Sequence, residues 1–418
     1  MKLLWITNTI FPAACKKIGI PVPVVGGWMY SSAKYLVDTY SEIKLGVASL
    51  YKGSTLKTLE LDGITYYLIP SKGNNNTYDK NLEIYWKEIN KSFSPELVHI
   101  HGSEYPHGLA YVNANGNKNV VVSIQGLVSI IERNYYGNIS FGNILRNITL
   151  RDIVRNDSLF HQKHNMKKRA IFERRLLESI NHVIGRTFWD KTHSWAINSN
   201  VNYHFCNETL REEFYKQSWD YDNCEKYSIF LSQAHYPIKG LHQVIKALPL
   251  VLRKYPETKV YVAGNSFFSS TKKWKQNGFG KYIKTQIKKL KIQDKIIFTG
   301  VLSEVEMCEK YIKSNVFVCP SSIENSPNSV GEAQLLGVPC IVSDVGGSAE
   351  MVVNEQTGLV YRFEEFEMLA TNIIRIFDSK NLSEKLSVEA KKIAQKRHSQ
   401  KLNAEKLISI YQLICKKL

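Results

Sequence analysis

Short apolar runs alternate with longer stretches of helical periodicity along the whole chain. Strands that alternate with helices are typical of parallel sheets covered by helices on both faces. Twelve candidate strands exceed what one ordinary open sheet holds, so the pattern predicts an α/β protein with two Rossmann-like domains. The candidate strands are Leu3–Thr7, Ile43–Leu50, Ile64–Ile69, Leu97–His101, Val120–Ile124, Val183–Gly185, Tyr227–Ser232, Lys259–Ala263, Ile296–Thr299, Val316–Cys319, Cys340–Ser343 and Leu359–Tyr361.

The length of the chain, 418 residues, allows two domains that each have a sizeable core. A short acidic and aromatic stretch, Ser218-Trp219-Asp220-Tyr221-Asp222-Asn223, is interpreted as the linker between them. We therefore expect a first domain over residues 1–215 and a second domain over residues 216–395.

Two glutamates, Glu324 and Glu332, stand eight residues apart at a predicted strand–loop–helix junction. The helix is expected to open near Ser326-Pro327, because serine is a good N-cap and proline suits the first turn. Eight helical residues span roughly 12 Å, about the reach from a sugar to a ribose across a pyrophosphate. The helix start offers N–H groups to that pyrophosphate. The spacing predicts a nucleotide-sugar site, against the alternative of two glutamates on a solvated helix face.

The same block continues with Leu336-Gly337-Val338-Pro339, a strand and the turn Asp344-Val345-Gly346-Gly347. With the glutamate pair, it resembles the donor-site signature of the family-4 glycosyltransferases, which are retaining enzymes of the GT-B fold. The resemblance implies that Glu324 touches the donor sugar as a catalytic residue and that Glu332 holds the ribose hydroxyls. We assign the small and polar residues around the pair to donor binding as well: Asn325, Ser326, Asn328, Ser329 and Val330.

The resemblance also implies how the domains are organised. Two Rossmann-like domains would face a central cleft, and a last helix over residues 396–418 would cross back to brace the first domain. Leu402, Leu407, Ile410 and Leu413 form an apolar stripe on that helix.

A lysine and a glycine, Lys239-Gly240, follow the predicted strand Tyr227–Ser232. A lysine that opens a helix after a strand can place its ammonium on a phosphate, although most such lysines are merely solvated. In the family, a Lys-Gly at this point contacts the donor pyrophosphate together with an arginine a few residues earlier. Here Gln233, Ala234 and His235 stand where that arginine is expected, so Gln233 and Lys239 are the candidate donor-binding residues.

Adjacent glycines in Val24-Val25-Gly26-Gly27-Trp28 lie between the first strand and the first long helix. Glycine allows the backbone to approach a phosphate or sugar closely, although an ordinary turn is an equal alternative. The family has a glycine pair here that faces the donor, so Gly26 and Gly27 are assigned to donor binding.

Two further candidate catalytic residues, His101 and Gln125, lie at the ends of predicted strands, where ligands of open α/β sheets bind. A single histidine in such a place is more often structural than catalytic. Many relatives place a histidine at the position of Gln125, where it contacts the donor sugar. Glutamine can form hydrogen bonds but cannot titrate, and Glu104 and His107 could supply polar contacts near His101.

The composition is basic, with 55 Lys and Arg against 38 Asp and Glu and a formal net charge of +17. This balance favours anionic partners, namely nucleotides, nucleic acid or an anionic membrane surface. Seven cysteines without a C-x-x-C pair indicate reduced thiols in the cytoplasm. The first apolar run is too short for a signal peptide, and no run approaches 18 apolar residues. We expect a cytoplasmic protein that works at the inner face of the cell membrane.

The stretch from Gly126 to Ile180 is long for one connection between strands. Its apolar residues Ile144, Leu145, Ile148 and Ile153 alternate with Arg146, Arg151 and Arg155, and the cluster Lys167-Lys168-Arg169 follows. This pattern predicts a contact with an anionic membrane and a lipid-linked acceptor. A core-packed helix with a solvated basic face is the alternative.

We therefore expect a retaining, hexosyltransferase-type glycosyltransferase that transfers sugar from a nucleoside-diphosphate sugar to a glycan or lipid-linked acceptor. Bacterial cell-surface polysaccharide synthesis is the setting that the resemblance implies. No cofactor and no metal are expected, since the only D-x-D, Asp220-Tyr221-Asp222, lies in the predicted linker. Two alternatives are a nucleotide-sugar epimerase of the same fold and a basic nucleic-acid-binding protein. No nucleic-acid partner is expected, because the basic residues are scattered and no zinc, RNP or helix-turn-helix signature is present.

Overall fold

The computed structural model describes residues 1–23, 26–71, 76–266 and 276–416, which form two compact units. One unit comprises Met1–Ile130, Asn165–Arg211 and Arg397–Leu418, and the other comprises Ile131–His164 and Glu212–Lys396. The chain passes from the first unit to the second at residues 211–212, a few residues before the boundary predicted at 215–216. Residues 131–164 lie within the predicted first domain but belong to the second unit.

Each unit contains one mainly parallel sheet. The strands of the first sheet are β1 (Lys2–Thr7), β2 (Lys44–Tyr51), β3 (Lys57–Leu61), β4 (Ile64–Pro70), β5 (Leu97–His101), β6 (Val120–Ser123), β7 (His182–Gly185) and β8 (Asn202–Phe205). Those of the second are β9 (Glu225–Leu231), β10 (Lys259–Val262), β11 (Ile296–Phe298), β12 (Ser314–Cys319), β13 (Cys340–Ser343) and β14 (Leu359–Tyr361). The orders are β3-β4-β2-β1-β5-β6-β7-β8 and β11-β10-β9-β12-β13-β14. Only the pair β3–β4 is antiparallel among the strand pairs of the described residues.

Helices cover the sheets, as the alternating pattern predicts. They are α1 (Pro12–Ile18), α2 (Gly27–Thr39), α3 (Leu82–Phe93), α4 (His107–Asn115), α5 (Val128–Ile131), α6 (Phe141–Asn147), α7 (Leu150–Val154), α8 (Leu159–Ser179), α9 (Phe188–Ile197), α10 (Leu241–Leu252), α11 (Gly278–Leu290), α12 (Glu304–Ile312), α13 (Asn328–Leu336), α14 (Ser348–Met351), α15 (Phe366–Asp378), α16 (Lys380–Arg397) and α17 (Gln400–Lys416). None of the helices in the described ranges is both long and apolar enough to cross a membrane.

All twelve predicted strands are present, because most of them are near-continuous apolar runs that the parallel sheets bury on both faces. The sequence prediction missed β3 and β8, which are the two edges of the first sheet. No residue of β8 is fully buried, and β3 is exposed or half-buried throughout. Edge strands need fewer apolar residues, so the apolar signal that finds central strands is weak there.

The last helix, α17, packs on the first sheet. Its residue Tyr411 is buried, and the Tyr411 hydroxyl is hydrogen-bonded to Trp5 Nε1 at 3.1 Å and to His99 Nδ1 at 2.6 Å. Leu407 and Ile410 are buried as predicted, whereas Leu402 and Leu413 are largely exposed. The buried face instead follows the helical repeat through Ala404, Leu407, Ile410, Tyr411 and Ile414.

The segment 131–164 is attached to the second unit by specific hydrogen bonds. His242 Nε2 is bonded to the carbonyl of Gly137 at 2.6 Å, and the Ser322 hydroxyl donates to the carbonyl of Asn134 at 3.1 Å. The predicted apolar stripe of this segment is only partly exposed. Ile144 is buried and Ile148 is half-buried, whereas Leu145 and Ile153 are exposed.

Candidate functional site

Both sheets have a topological switch point, where successive connections leave in opposite directions. In the second sheet it lies between β9 and β12, and in the first it lies between β1 and β5. Loops that follow neighbouring strands on the two sides of such a point diverge and leave a crevice at the carboxyl ends, where ligands bind in open α/β sheets. Lys239 and Glu324 follow β9 and β12, and His101 is the last residue of β5.

The loop after β12 holds Glu324 in a defined position. The Ser321 hydroxyl donates to Glu324 Oε1 at 2.8 Å, and the backbone N–H of Gly347 donates to the Glu324 carbonyl at 3.0 Å. Gly347 belongs to the glycine-bearing turn after β13, the next strand of the sheet. Two neighbouring strand ends therefore fix the backbone and side chain of Glu324.

The side chain of Lys239 pairs with that of Glu324. Lys239 Nζ lies 2.5 Å from Glu324 Oε1, and the two side chains are 21% and 14% exposed. Burial alone would lower the pKa of Lys239, but the charge of Glu324 and the hydrogen bond to it outweigh burial and raise that pKa above its ordinary value. The site thus holds a charged ammonium beside a carboxylate at the crevice of the second sheet.

A tight 3-10 turn, Pro237–Lys239, brings Lys239 to this position. Gly240 ends the turn with φ +71°, and a Cβ atom there would lie 1.6 Å from the carbonyl oxygen of Pro320. The backbone N–H of Ser322 donates to the Ile238 carbonyl at 2.7 Å. The two residues of the Lys-Gly pair therefore act together. The glycine permits the close approach of the turn to Pro320, and this approach lets the lysine reach Glu324.

Helix α13 begins at Asn328, later than predicted. Pro327 occupies the N-cap position, and the Ser326 hydroxyl contacts Met351 Sδ at 3.4 Å instead of capping the helix. Proline cannot use its side chain as a cap, and the Val330 and Gly331 N–H groups donate to the Pro327 carbonyl, so the N–H groups of Asn328 and Ser329 are the ones at the helix start without a partner within the helix. These N–H groups are donors for an anion, and the binding of a pyrophosphate at the start of α13 stays a prediction.

The remaining predicted donor residues of the second unit differ in exposure. Glu332 lies in the second turn of α13 and is 6% exposed. Asn325 and Val330 are buried, whereas Gln233 is exposed and Ser329 accepts a 3.0 Å hydrogen bond at its carbonyl from the Tyr311 hydroxyl. Ser321, which orients the Glu324 carboxylate, was missed because a serine before a loop carries no distinctive sequence signal.

In the first unit, His101 is a buried neutral ring. It stacks on His99 at 3.8 Å between ring centroids and contacts the Trp5 ring at 4.4 Å in a tilted arrangement. Burial lowers the pKa of His101 to about 3. Neither ring nitrogen has a hydrogen-bond partner among the described residues. The ring lines a cavity of about 30 Å³, which is room for one or two water molecules.

Gln125 is held by a buried ion pair that sequence reasoning missed. Its amide Nε2 donates to Glu208 Oε1 at 2.7 Å, and Glu208 pairs with Arg186, which also donates to the Ile124 carbonyl at 3.0 Å. Glu208 lies 83 residues from Gln125 in the chain, so no local pattern connects them. Because one N–H of the side-chain amide donates to Glu208, the side-chain oxygen Oε1 is the atom of Gln125 that can accept hydrogen bonds from a ligand.

The polar residues near His101 also include Glu104. The Asn8 amide donates to Glu104 Oε2 at 3.2 Å, and burial is the main cause that raises the pKa of Glu104 to about 7. Burial lowers the pKa of His107 to about 4. Asn8 follows β1 and Glu104 follows β5, so this titratable carboxyl lies at the switch point of the first sheet.

Of the predicted glycine motif, Gly26 and Gly27 are described, whereas Val24 and Val25 lie outside the described residues. Gly26 is the N-cap of α2 with φ +84°, and a Cβ atom there would lie 2.5 Å from Thr9 Oγ1. A Cβ atom on Gly27 would lie 3.2 Å from the Arg211 side chain. The pair starts a helix close to the end of β1, which is where a glycine pair can admit a ligand.

The D-x-D sequence forms an ordinary surface turn. Asp220 Oδ1 accepts a 2.7 Å hydrogen bond from the backbone of Asp222, and the Asp222 carboxylate pairs with Lys380. The ranges that the structure describes contain no group of three His, Cys, Asp or Glu side chains placed to hold a metal ion. All seven cysteines are free thiols, and all except Cys415 are buried.

Known proteins resemble this chain in sequence and in fold. Residues 211–393 match the model of a family described as glycosyl transferases group 1. Putative glycosyltransferase YtcC of Bacillus subtilis is 23% identical over 420 residues, which cover 99% of this chain and 92% of YtcC. The capsular polysaccharide biosynthesis glycosyltransferase CapM of Staphylococcus aureus is 26% identical over 178 residues, 43% of this chain and 44% of CapM.

The fold is also that of solved glycosyltransferases. The crystal structure of Anabaena HepE in complex with UDP and glucose matches with a TM-score of 0.67 and 15% identity over 99% of both chains. Two parallel Rossmann-like sheets with this likeness are the GT-B fold. The chain therefore has the GT-B fold, and the match of residues 211–393 to the group 1 family, together with the likeness to YtcC along the chain, shows that it is a glycosyltransferase.

Proposed function

We propose that this enzyme transfers a hexose, with retention of configuration, from a nucleoside-diphosphate sugar to a glycan or lipid-linked acceptor. The setting is synthesis of a cell-surface polysaccharide in the cytoplasm, at the inner face of the cell membrane. The likeness to CapM supports the pathway, and the UDP and glucose bound by HepE support the donor class. The donor signature between Ser321 and Gly347 supports the retaining reaction.

The observation that carries the proposal is the ion pair between Lys239 and Glu324 at the switch point of the second sheet. A pyrophosphate at the start of α13 would compete with Glu324 for the Lys239 ammonium, because both are anions that bind it. Glu324 would then be free to accept hydrogen bonds from the hydroxyls of the donor sugar. The ion pair thus keeps the two side chains close together until the donor replaces one of the two contacts.

The other donor contacts follow from position. Glu332, in the second turn of α13, would accept hydrogen bonds from the ribose hydroxyls, and the first N–H groups of that helix would face the phosphates. In the leaving group, negative charge develops on the pyrophosphate, and Lys239 with the helix dipole would stabilise it without a metal. In the first unit, Gln125 and His101 remain our candidates for groups that act on the transferred sugar, and Gly26 and Gly27 for close approach to the donor.

The test is binding and turnover with a panel of nucleoside-diphosphate sugars that starts with uridine donors. Glu332→Ala should weaken binding of both UDP and the donor about ten- to a hundredfold, because this is the effect of losing a hydrogen bond to a charged group. Glu324→Ala should bind UDP at least as tightly as wild type, because Lys239 loses its competing partner, but should lose donor turnover.

Glu389→Ala is the matched control, since Glu389 is an exposed glutamate of the second unit on α16. It should behave as wild type in both measurements. Normal donor kinetics in both Glu324→Ala and Glu332→Ala would show that the donor binds elsewhere. Release of an isomerised sugar without transfer would identify an epimerase instead.

A further inference from the structure

The short helix α7 has the polarity of its two faces reversed. Leu150, Ile153 and Val154 are 74%, 63% and 77% exposed, whereas the charged residue Asp152 is 1% exposed. A surface helix normally buries its apolar residues and exposes its charges. An exposed apolar face on a helix therefore requires a separate explanation.

The buried polar face of α7 is fixed to the second unit, so the helix cannot simply turn over. Asp152 and Thr149 form a capping box, and the Thr149 hydroxyl donates to the Gln276 carbonyl at 2.9 Å. A Cβ atom on Gly278 would lie 2.8 Å from Asp152 Oδ2, so only glycine allows this close packing. Rotating the apolar residues inward would break the hydrogen bond from Thr149 to the Gln276 carbonyl and would separate Asp152 from Gly278.

Helix α6, which precedes α7 in the chain, also has exposed apolar residues. Phe141 and Leu145 are spaced four residues apart on one helix face, and both are exposed. We call the five exposed apolar residues of the two helices the α6–α7 patch: Phe141, Leu145, Leu150, Ile153 and Val154. Five large apolar side chains exposed within fifteen residues differ from the isolated ones found on most surfaces.

Basic residues lie next to the α6–α7 patch in the chain and on the helix that packs against α6. Arg146 and Arg155 are exposed on α6 and directly after α7. Helix α11 packs against α6, and Lys281 Nζ donates to the Arg146 carbonyl at 3.0 Å. Helix α11 carries the lysines Lys281, Lys284, Lys288 and Lys289 and has no acidic residue.

We propose that the α6–α7 patch docks on an anionic phospholipid bilayer. Exposed apolar side chains would enter the boundary between headgroups and acyl chains, while the arginines and the α11 lysines would bind the lipid phosphates. This charge complementarity favours a lipid surface over an apolar protein partner, which would leave these cations unpaired. The inference rests on the proposed function for its purpose, since docking would bring the enzyme to a lipid-linked acceptor.

The test is sedimentation of the full chain with vesicles of phosphatidylcholine alone and of phosphatidylcholine with phosphatidylglycerol. The apolar variant replaces Leu150, Ile153 and Val154 with serine. Its control replaces Val301, Val353 and Val388, three exposed valines of the second unit, with serine. The charge variant replaces Arg146, Arg155 and Lys288 with glutamate, and its control replaces the exposed lysines Lys385, Lys392 and Lys396 with glutamate.

Wild type should bind anionic vesicles in a salt-sensitive manner, and both patch variants should bind about tenfold or more weakly while the controls bind as wild type. Because the altered side chains are exposed, thermal unfolding and UDP binding should be unchanged in all variants. No binding by wild type, or equal loss in patch and control variants, would refute the docking surface.

A wild-type dimer that the apolar variant converts to monomer, without a change in vesicle binding, would refute lipid docking and identify a second copy as the partner. These readouts do not depend on sugar transfer. Vesicle binding that requires the α6–α7 patch would stand even if no donor were turned over, so the two proposals can fail separately.

Discussion

The replacement Gln125→Glu tests how the buried pair of Glu208 and Arg186 positions Gln125. In the wild type, Gln125 Nε2 lies 2.7 Å from Glu208 Oε1. The variant would place a second carboxylate at this distance. With an effective dielectric constant of about 20, two charges at that separation repel by about 6 kcal/mol. Arg186 already pairs with Glu208, so it offsets only part of this repulsion.

Proton uptake limits the cost of that repulsion. Protonating a glutamate with an ordinary pKa of about 4.3 at pH 7 costs about 3.7 kcal/mol of free energy. The variant therefore loses no more than this amount of folding stability. The protonated carboxyl would then donate to Glu208 as the amide did. The pKa of the carboxyl pair is raised in the folded state, so the folded state binds more protons than the unfolded state. Stability therefore falls as pH rises, by about 1.4 kcal/mol per pH unit.

The assay is thermal unfolding of the variant and of the wild type from pH 5 to pH 8. The quantity of interest is the difference in stability between the two proteins, because Glu104 and the other titratable groups contribute equally to both. The deficit of the variant should grow from about 1 kcal/mol at pH 5 to about 3–4 kcal/mol at pH 7. For a unit of about 200 residues this corresponds to a further decrease in Tm of roughly 5–11 °C. The double variant Gln125→Glu, Glu208→Gln restores one carboxylate and one amide and should lose the pH dependence. A deficit that is the same at all pH values would refute the reasoning.

Three further predictions concern stability and metal use. Gly240→Ala should lower the free energy of unfolding by about 1–2 kcal/mol because of its positive φ, and further because of the clash with the Pro320 carbonyl. It should also bind UDP more weakly because Lys239 is displaced, and urea unfolding and UDP titration measure the two effects. Tyr411→Phe should lose about 1–3 kcal/mol, since Trp5 and His99 each lose a buried partner, and an unchanged urea midpoint would contradict this. Turnover should survive exhaustive chelation, and activity that is lost and then restored by magnesium or manganese would falsify the metal-free proposal.

The local sequence was sufficient to predict the strands other than the edge strands β3 and β8, and the loops that follow the predicted strands. Parallel strands buried on both faces are continuous apolar runs, so their positions can be read from the chain without knowing their neighbours. The Ser-, Asn- and Pro-rich loop that carries Glu324 could be predicted for the same reason, because turn chemistry depends on adjacent residues. The exact start of α13 could not, since Ser326 and Pro327 are both acceptable at a helix start and contacts with Met351 decide between them.

The partners of the polar side chains were decided by the tertiary structure alone. Lys239 meets Glu324 across 85 residues, and Gln125 meets Glu208 across 83, because strand order places the ends of distant strands side by side. The outward apolar face of α7 has the same origin. The Gln276 carbonyl accepts a hydrogen bond from Thr149 and Gly278 packs against Asp152, and these distant residues decide which face of α7 is buried. Hydrophobic periodicity records which residues of an element share a face, whereas the neighbour of that face depends on how the whole chain is arranged.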